Sequence, residues 1–115
     1  MFRVKLLLMC AMGLSTGILA KKIQGIAETS KMIDHDYFEI HVTSIDEYKE
    51  YLKQPISLVL VGPQVAFKYE EIKKTLEKKG IPTLLIDEKD YGMMDASTIL
   101  KKALIEIRNY ENKIK

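Results

Sequence analysis

The chain has one cysteine, no tryptophan and three prolines among 115 residues. A single thiol, Cys10, excludes an internal disulfide framework. His35 and His41 lie far from it in the sequence, so no metal-ligand spacing exists and no metal is expected. A reducing, cytoplasmic setting is the default. Charge of one sign is also missing: 18 Lys and Arg face 16 Asp and Glu, and the basic residues are spread along the chain. Without a basic stripe to track phosphates, nucleic acid is not an expected partner. Long apolar runs are absent too. The stretch from Leu6 to Ala20, preceded by Arg3 and Lys5, is broken by Gly13, Ser15, Thr16 and Gly17. It is too short to cross a bilayer, and reads as strand, loop and helix rather than as an export signal, so no direct membrane insertion is expected. No Pro-, Gly- or Ser-rich linker, internal repeat or low-complexity segment interrupts the chain. Its 47% hydrophobic and 30% charged residues therefore fit a single domain over residues 1–110, with 111–115 a fraying C-terminus.

The apolar pattern supplies the architecture. Val4 to Met9 and Ile56 to Val61 are short runs suited to strands covered on both faces. Phe38, Ile40 and Val42 alternate with Glu39 and His41, the pattern of an edge strand with one wet face. Thr83 to Ile86, after Gly80 and Pro82, makes a fourth strand. Between the strands the period changes to about 3.6, which places four helices. The first starts near Ser15 or Thr16 as a hydroxyl cap and buries Leu19, Ile23, Ile26 and Ala27. The second is short and carries Ile45, Tyr48 and Leu52. The third buries Val65, Tyr69, Ile72 and Leu76 and ends in Lys78 and Lys79 before Gly80. The fourth runs from Ala96 to Tyr110 with Asp95 as its cap. Right-handed crossovers then make an α/β domain with an open four-stranded parallel sheet, order 2-1-3-4, and helices on both faces. In that order the switch point lies at the C-terminal end of the first strand, where open sheets bind ligands.

Cys10 follows that strand directly. Cys10-Ala11-Met12-Gly13-Leu14-Ser15-Thr16-Gly17 joins it to the first helix, the position of a phosphate loop as in low-mass tyrosine phosphatases. Backbone N–H groups in such a turn and the positive end of the next helix cradle an anion. Gly13 and Gly17 let the backbone curve around it, and Ser15 and Thr16 add hydroxyl donors. The same field favours thiolate, so Cys10 reads as a nucleophile toward phosphorus. The plainer reading makes Cys10 a small buried apolar residue and Ser15 or Thr16 a cap. The phosphatase pattern needs an arginine six residues after the cysteine, where this chain has Thr16, and no Lys or Arg lies between Cys10 and Ala20. A loop of this kind is better suited to holding a phosphoryl group for a second acceptor than to hydrolysing it.

Together Leu6-Leu7-Leu8-Met9-Cys10, Cys10-Ala11-Met12-Gly13-Leu14-Ser15-Thr16, Leu58-Val59-Leu60-Val61-Gly62-Pro63-Gln64-Val65, Gly80-Ile81-Pro82 and Asp90-Tyr91-Gly92-Met93-Met94 resemble one family. It is the enzyme IIB component of the bacterial sugar phosphotransferase system, in its lactose and cellobiose (chitobiose) class. The resemblance implies that Cys10 accepts a phosphoryl group from a phosphohistidine of enzyme IIA. It implies delivery to a β-glucoside, disaccharide or related sugar held by the membrane transporter IIC. No cofactor is implied. Family members carry a Met after the loop glycine and a Ser after the Ser-Thr pair. This chain has Met12 before the glycine, Leu14 after it and Gly17 in place of the last Ser.

Gln64, after the third strand, reads equally as a contact to the oxyanion or a partner and as part of a turn that starts the third helix. Asp87, Asp90 and Tyr91 follow the fourth strand toward the same edge. Carboxylates repel a phosphothiol, which favours solvated or helix-capping roles for the two acids and leaves Tyr91 as a rim residue. Met12, Leu14, Phe67, Met93 and Met94 are candidates for an apolar rim suited to protein docking, with core packing the plainer assignment for each. His35 and His41 are read as surface or edge residues. Three alternatives remain. A flavodoxin-like cofactor-binding module is suggested by Ser15-Thr16-Gly17, although the chain is short and has no Trp to stack on a flavin. A receiver domain lacks its aspartate, since Val61 and Gly62 stand there. A non-catalytic interaction domain predicts an unreactive Cys10.

Overall fold

The computed structural model describes residues 4–11, 14–30 and 37–113, with the backbone but not the side chains of Leu14 and Ser15. Strand and helix alternate: β1 (Val4–Cys10), α1 (Leu14–Thr29), β2 (Phe38–Ser44), α2 (Tyr48–Tyr51), β3 (Leu58–Val61), a 3-10 segment (Pro63–Lys68), α3 (Tyr69–Glu77), β4 (Thr83–Leu85), α4 (Glu88–Gly92) and α5 (Ala96–Lys113). The four strands lie in the order β2-β1-β3-β4 and every pairing is parallel, as the sequence pattern predicts.

Leu6, Leu7, Leu8 and Met9 are all fully buried, which an unbroken apolar run requires of a central strand. Their alternation divides the core. Val4, Leu6 and Leu8 join Leu19, Ile23 and Ala27 of α1 and Ile99, Leu100, Ala103 and Ile107 of α5. Leu7 and Met9 join Tyr48, Val65, Ile72 and Leu76 on the opposite face. The two apolar clusters thus place α1 and α5 on one side of the sheet and α2, the 3-10 segment and α3 on the other. Each fully buried Leu contributes about 2 kcal/mol of apolar transfer, so the sheet is clamped from both sides. At the edge, β2 keeps Glu39 exposed. Its carboxylate lies 3.0 Å from His41 Nε2 and 3.6 Å from Lys5 Nζ, and the His41 hydrogen bond and the Lys5 charge hold its pKa below the usual value.

Strand ends differ from the sequence reading by one or two residues, β3 beginning at Leu58 rather than Ile56, and the helical segments differ more. α1 begins at Leu14, so Ser15 and Thr16 lie inside its first turn rather than capping it. Pro63 to Lys68 form a 3-10 segment instead of the start of α3. Pro63 opens it, and Val65, 2% exposed in the second cluster, takes a non-helical conformation that breaks the path into α3. α4 is a helix that periodicity misses, because its five residues are too few to show a period. Finally, α5 continues past Tyr110 to Lys113. The stop signal before β4 acts as read: Gly80 takes φ +73°, and Ile81 N–H reaches back to Leu76 O at 3.0 Å.

Candidate functional site

Cys10 is the last residue of β1 and pairs with Ser44, the last residue of β2. The strand order puts it at the carboxyl edge of the sheet, where the connections after β1 and β3 diverge. Only 3% of Cys10 is exposed while Ala11 is exposed, so the boundary between interior and solvent passes between them. Among the described residues Cys10 belongs to neither apolar cluster.

Across from it the chain comes unusually close. Gly62 N–H donates to Met9 O at 2.8 Å. A Cβ on Gly62 would stand 2.7 Å from Gln64 Oε1, 3.1 Å from Met9 O and 3.8 Å from Cys10 Cβ. Only glycine permits this approach without a shift. Gln64 is exposed, and its side-chain oxygen folds back over Gly62 toward the end of β1. It also stands in the turn that Pro63 opens, which is the second of the two roles read for it from sequence. Gly62 is part of the motif read from sequence, but its close approach to the end of β1 is not. Its signal is a glycine at the end of a wholly buried strand, a common mark of close backbone approach.

Met12 and Gly13 lie outside the described residues, as do the side chains of Leu14 and Ser15. The first backbone N–H groups of α1 have no partner within the helix. No acidic residue stands in that turn, whereas α3 has Glu70 and Glu71 and α4 has Glu88 and Asp90 in theirs. The positive end of the α1 dipole is therefore not offset by a carboxylate of its own first turn. Thr16 is 1% exposed, and its Oγ1 shares a 2.8 Å hydrogen bond with the hydroxyl of Tyr91, itself 9% exposed. Its hydroxyl, expected as a donor in the loop, is directed inward. Gly17, expected to curve the loop around an anion, is instead a helical residue of α1. A methyl group added there would meet no heavy atom within 4 Å.

The residues after β4 have structural roles. Asp87 caps α4, accepting from Lys89 N–H at 2.8 Å. Asp90 pairs with Lys102 of α5 at 2.7 Å, and that hydrogen bond raises the Lys102 pKa. Capping is a role the charge of Asp87 favours, whereas the pairing of Asp90 with Lys102 is not one read from sequence. The apolar rim does not assemble among the described residues. Phe67 is 78% exposed on the 3-10 segment, but Met93 and Met94 line a groove with Lys22, Gly25 and Ile26, two to three turns along α1 from its start. Met94 also packs against the first cluster. His41 stands on edge strand β2, and His35 lies outside the described residues. Among the described residues no three His, Cys, Asp or Glu side chains gather as a metal site, and no helix is long and apolar enough to cross a membrane.

Comparison with known proteins fits this geometry. Residues 5–102 match the family described as "PTS system, Lactose/Cellobiose specific IIB subunit". The chain is 38% identical over 98 residues to the galactose-specific EIIB component of Lactococcus lactis subsp. cremoris, covering 84% of this chain and 89% of the relative. It is 36% identical over 97 residues to the cellobiose-specific EIIB component of Lactococcus lactis subsp. lactis, with the same coverage of 84% and 89%. To the oligo-beta-mannoside-specific EIIB component of Bacillus subtilis it is 32% identical over 100 residues, covering 87% and 92%. The solution structure of the cellobiose-specific IIB component from Borrelia burgdorferi superposes with a TM-score of 0.73 at 28% identity, covering 93% of this chain and 94% of that one. The lactose-specific IIB domain from Streptococcus pneumoniae shares the fold, with a TM-score of 0.74 at 19% identity over 91% and 98%. The chain belongs to the lactose/cellobiose-specific IIB subunit family of the sugar phosphotransferase system.

Proposed function

We propose that this IIB component carries phosphate on Cys10. The Cys10 sulfur attacks the phosphorus of a phosphohistidine on enzyme IIA. The N–P bond breaks, the S–P bond forms, and the thiol proton passes to the departing imidazole. A hydroxyl of a sugar held by the membrane transporter IIC then attacks the same phosphorus. The S–P bond breaks, the sugar keeps the phosphate and the thiol is restored. Backbone N–H groups between Ala11 and Thr16, with the hydroxyl of Ser15, hold the phosphoryl oxygens while neither partner is engaged. The observation that carries this reading is the position of Cys10: the last residue of a central strand, followed by a helix whose first turn has no acid.

With no Lys or Arg between Cys10 and Ala20, the charge of the bound phosphate is spread over neutral donors, which suits a group passed on rather than hydrolysed. The work is cytoplasmic, at the inner face of the transporter. The sugar is of the disaccharide or β-glucoside class. Relatives named for galactose, cellobiose and oligo-beta-mannoside stand at similar identities, 38%, 36% and 32%, so the IIB sequence alone does not select among them.

Intact-mass measurement after incubation with phosphoenolpyruvate, the general phosphotransferase components and a purified enzyme IIA tests the reading. One added phosphate is expected, and none in Cys10→Ser, because an alcohol is a far poorer nucleophile than a thiolate at neutral pH. A phosphate retained by the serine variant would move the site elsewhere.

A further inference from the structure

We infer that Tyr91 is a positioning residue for phosphoryl transfer, acting through Thr16 on the first turn of α1; this rests on the proposed role of Cys10. The two hydroxyls share a 2.8 Å hydrogen bond across 75 residues of sequence, with 1% of Thr16 and 9% of Tyr91 exposed. Thr16 is the third residue of α1, so its backbone belongs to the first turn of the helix that follows Cys10, whose N–H groups have no partner within the helix. Fixing its side chain fixes the direction of those groups relative to the sulfur.

Tyr91 is in turn held firmly. Its N–H donates to Asp87 O at 3.0 Å, and its carbonyl accepts from Met94 N–H at 3.0 Å. The adjacent Asp90 is tied to Lys102 at 2.7 Å, which anchors α4 on α5. A continuous path therefore runs from α5 through α4 to the start of α1. The body of α1 does not need this path. Leu19, Ile23 and Ala27 are fully buried in the first cluster and hold the helix on the sheet by themselves. The hydrogen bond thus acts mainly on the orientation of the first turn.

A buried bond of this kind is directional as well as stabilising, and its loss lets the donors of the turn drift from the transferring group. Tyr91→Phe keeps the ring and deletes the hydroxyl. Thr16→Val keeps the shape and deletes the partner, and Thr16→Ser keeps the hydroxyl. Single-turnover transfer is measured from a purified IIA partner loaded with phosphate from phosphoenolpyruvate. Tyr91→Phe and Thr16→Val should each lower the maximal rate roughly fivefold to tenfold, leaving the half-saturating donor concentration unchanged. The double variant should be no slower than either single one, and Thr16→Ser should transfer close to the wild-type rate. An unchanged maximal rate in Tyr91→Phe, or a loss confined to half-saturation, overturns the positioning role. So does a Thr16→Ser variant as slow as Thr16→Val. If the wild-type protein takes no phosphate, the carrier reading fails and this inference with it. A labelled wild type beside an equally fast Tyr91→Phe sinks the inference alone.

Discussion

At the start of α5, Asp95 accepts from the Thr98 hydroxyl at 2.8 Å and the Thr98 N–H at 3.2 Å. Those two bonds hold its carboxyl below the usual range. At the start of α1 no acid occupies the first turn, and the threonine there turns its hydroxyl inward to Tyr91. Both helices must satisfy amides that have no partner in their own backbone. α5 does so with its own carboxylate and has no need of an anion. α1 has no acid in its first turn, and that turn follows the one cysteine of the chain. On the proposed carrier role, the difference makes one helix start structural and leaves the other for the phosphoryl group. The second is marked by a missing charge and by a tether that comes from elsewhere.

The contrast is broken most directly by giving α1 the charge it lacks. Gly17 has room for a side chain, so Gly17→Asp should fold normally. It should slow phosphorylation of Cys10 on the order of tenfold, through repulsion between carboxylate and phosphoryl group. Gly17→Ala adds no charge and should raise unfolding free energy by about 0.5 to 1 kcal/mol, as replacing a helical glycine does. Equal transfer rates in the Asp and Ala variants would remove the electrostatic part of the comparison.

A smaller effect is expected on the other side of the thiol. In Gly62→Ala the new methyl displaces Gln64 and crowds Met9 O. It should cost about 1 kcal/mol in denaturant unfolding and slow transfer severalfold. A variant as stable and as fast as wild type would mean that the close approach at Gly62 is incidental.

The smallest effect concerns the tether. Asp90 raises the Lys102 pKa, so this pair's stabilisation is complete below the ordinary lysine value of 10.5 and is lost as pH rises through the raised one. The denaturation midpoint of wild type minus that of Lys102→Met should be constant from neutral pH to about 10 and then shrink. A difference flat through strong alkali would show that the ion pair adds nothing.

Much of this was legible in the residues. Leu6 to Met9 announced a strand buried on both faces, and the alternation from Phe38 to Val42 announced an edge. Those two facts led to the strand order and so to the place of Cys10. The helix of Glu88 to Gly92 was not legible because five residues do not display a period, and Val65 gave no warning of its break because apolar spacing is the same in a 3-10 turn and an α-helix over so few residues. Gly17 misled for a different reason. A glycine after a phosphate loop suggests curvature, but here the helix had already begun. The flavodoxin-like alternative also stayed open on local residues, because Ser15-Thr16-Gly17 suits either loop; the family match over 98 residues decides against it.

What the sequence determined by itself was everything that depends on period and neighbourhood along the chain: which segments extend, which coil, which faces turn inward, and that a lone thiol follows a central strand. Folding decided what depends on contacts between distant residues. Thr16 meets Tyr91 because α4 is carried to the start of α1. Gly62 has no room for a side chain without a shift because Gln64 and the end of β1 close around it. Hydrophobic periodicity records only how much of each side chain leaves water, whereas the partner a hydroxyl finds and the space a Cβ would fill are set by the packing of elements far apart in sequence.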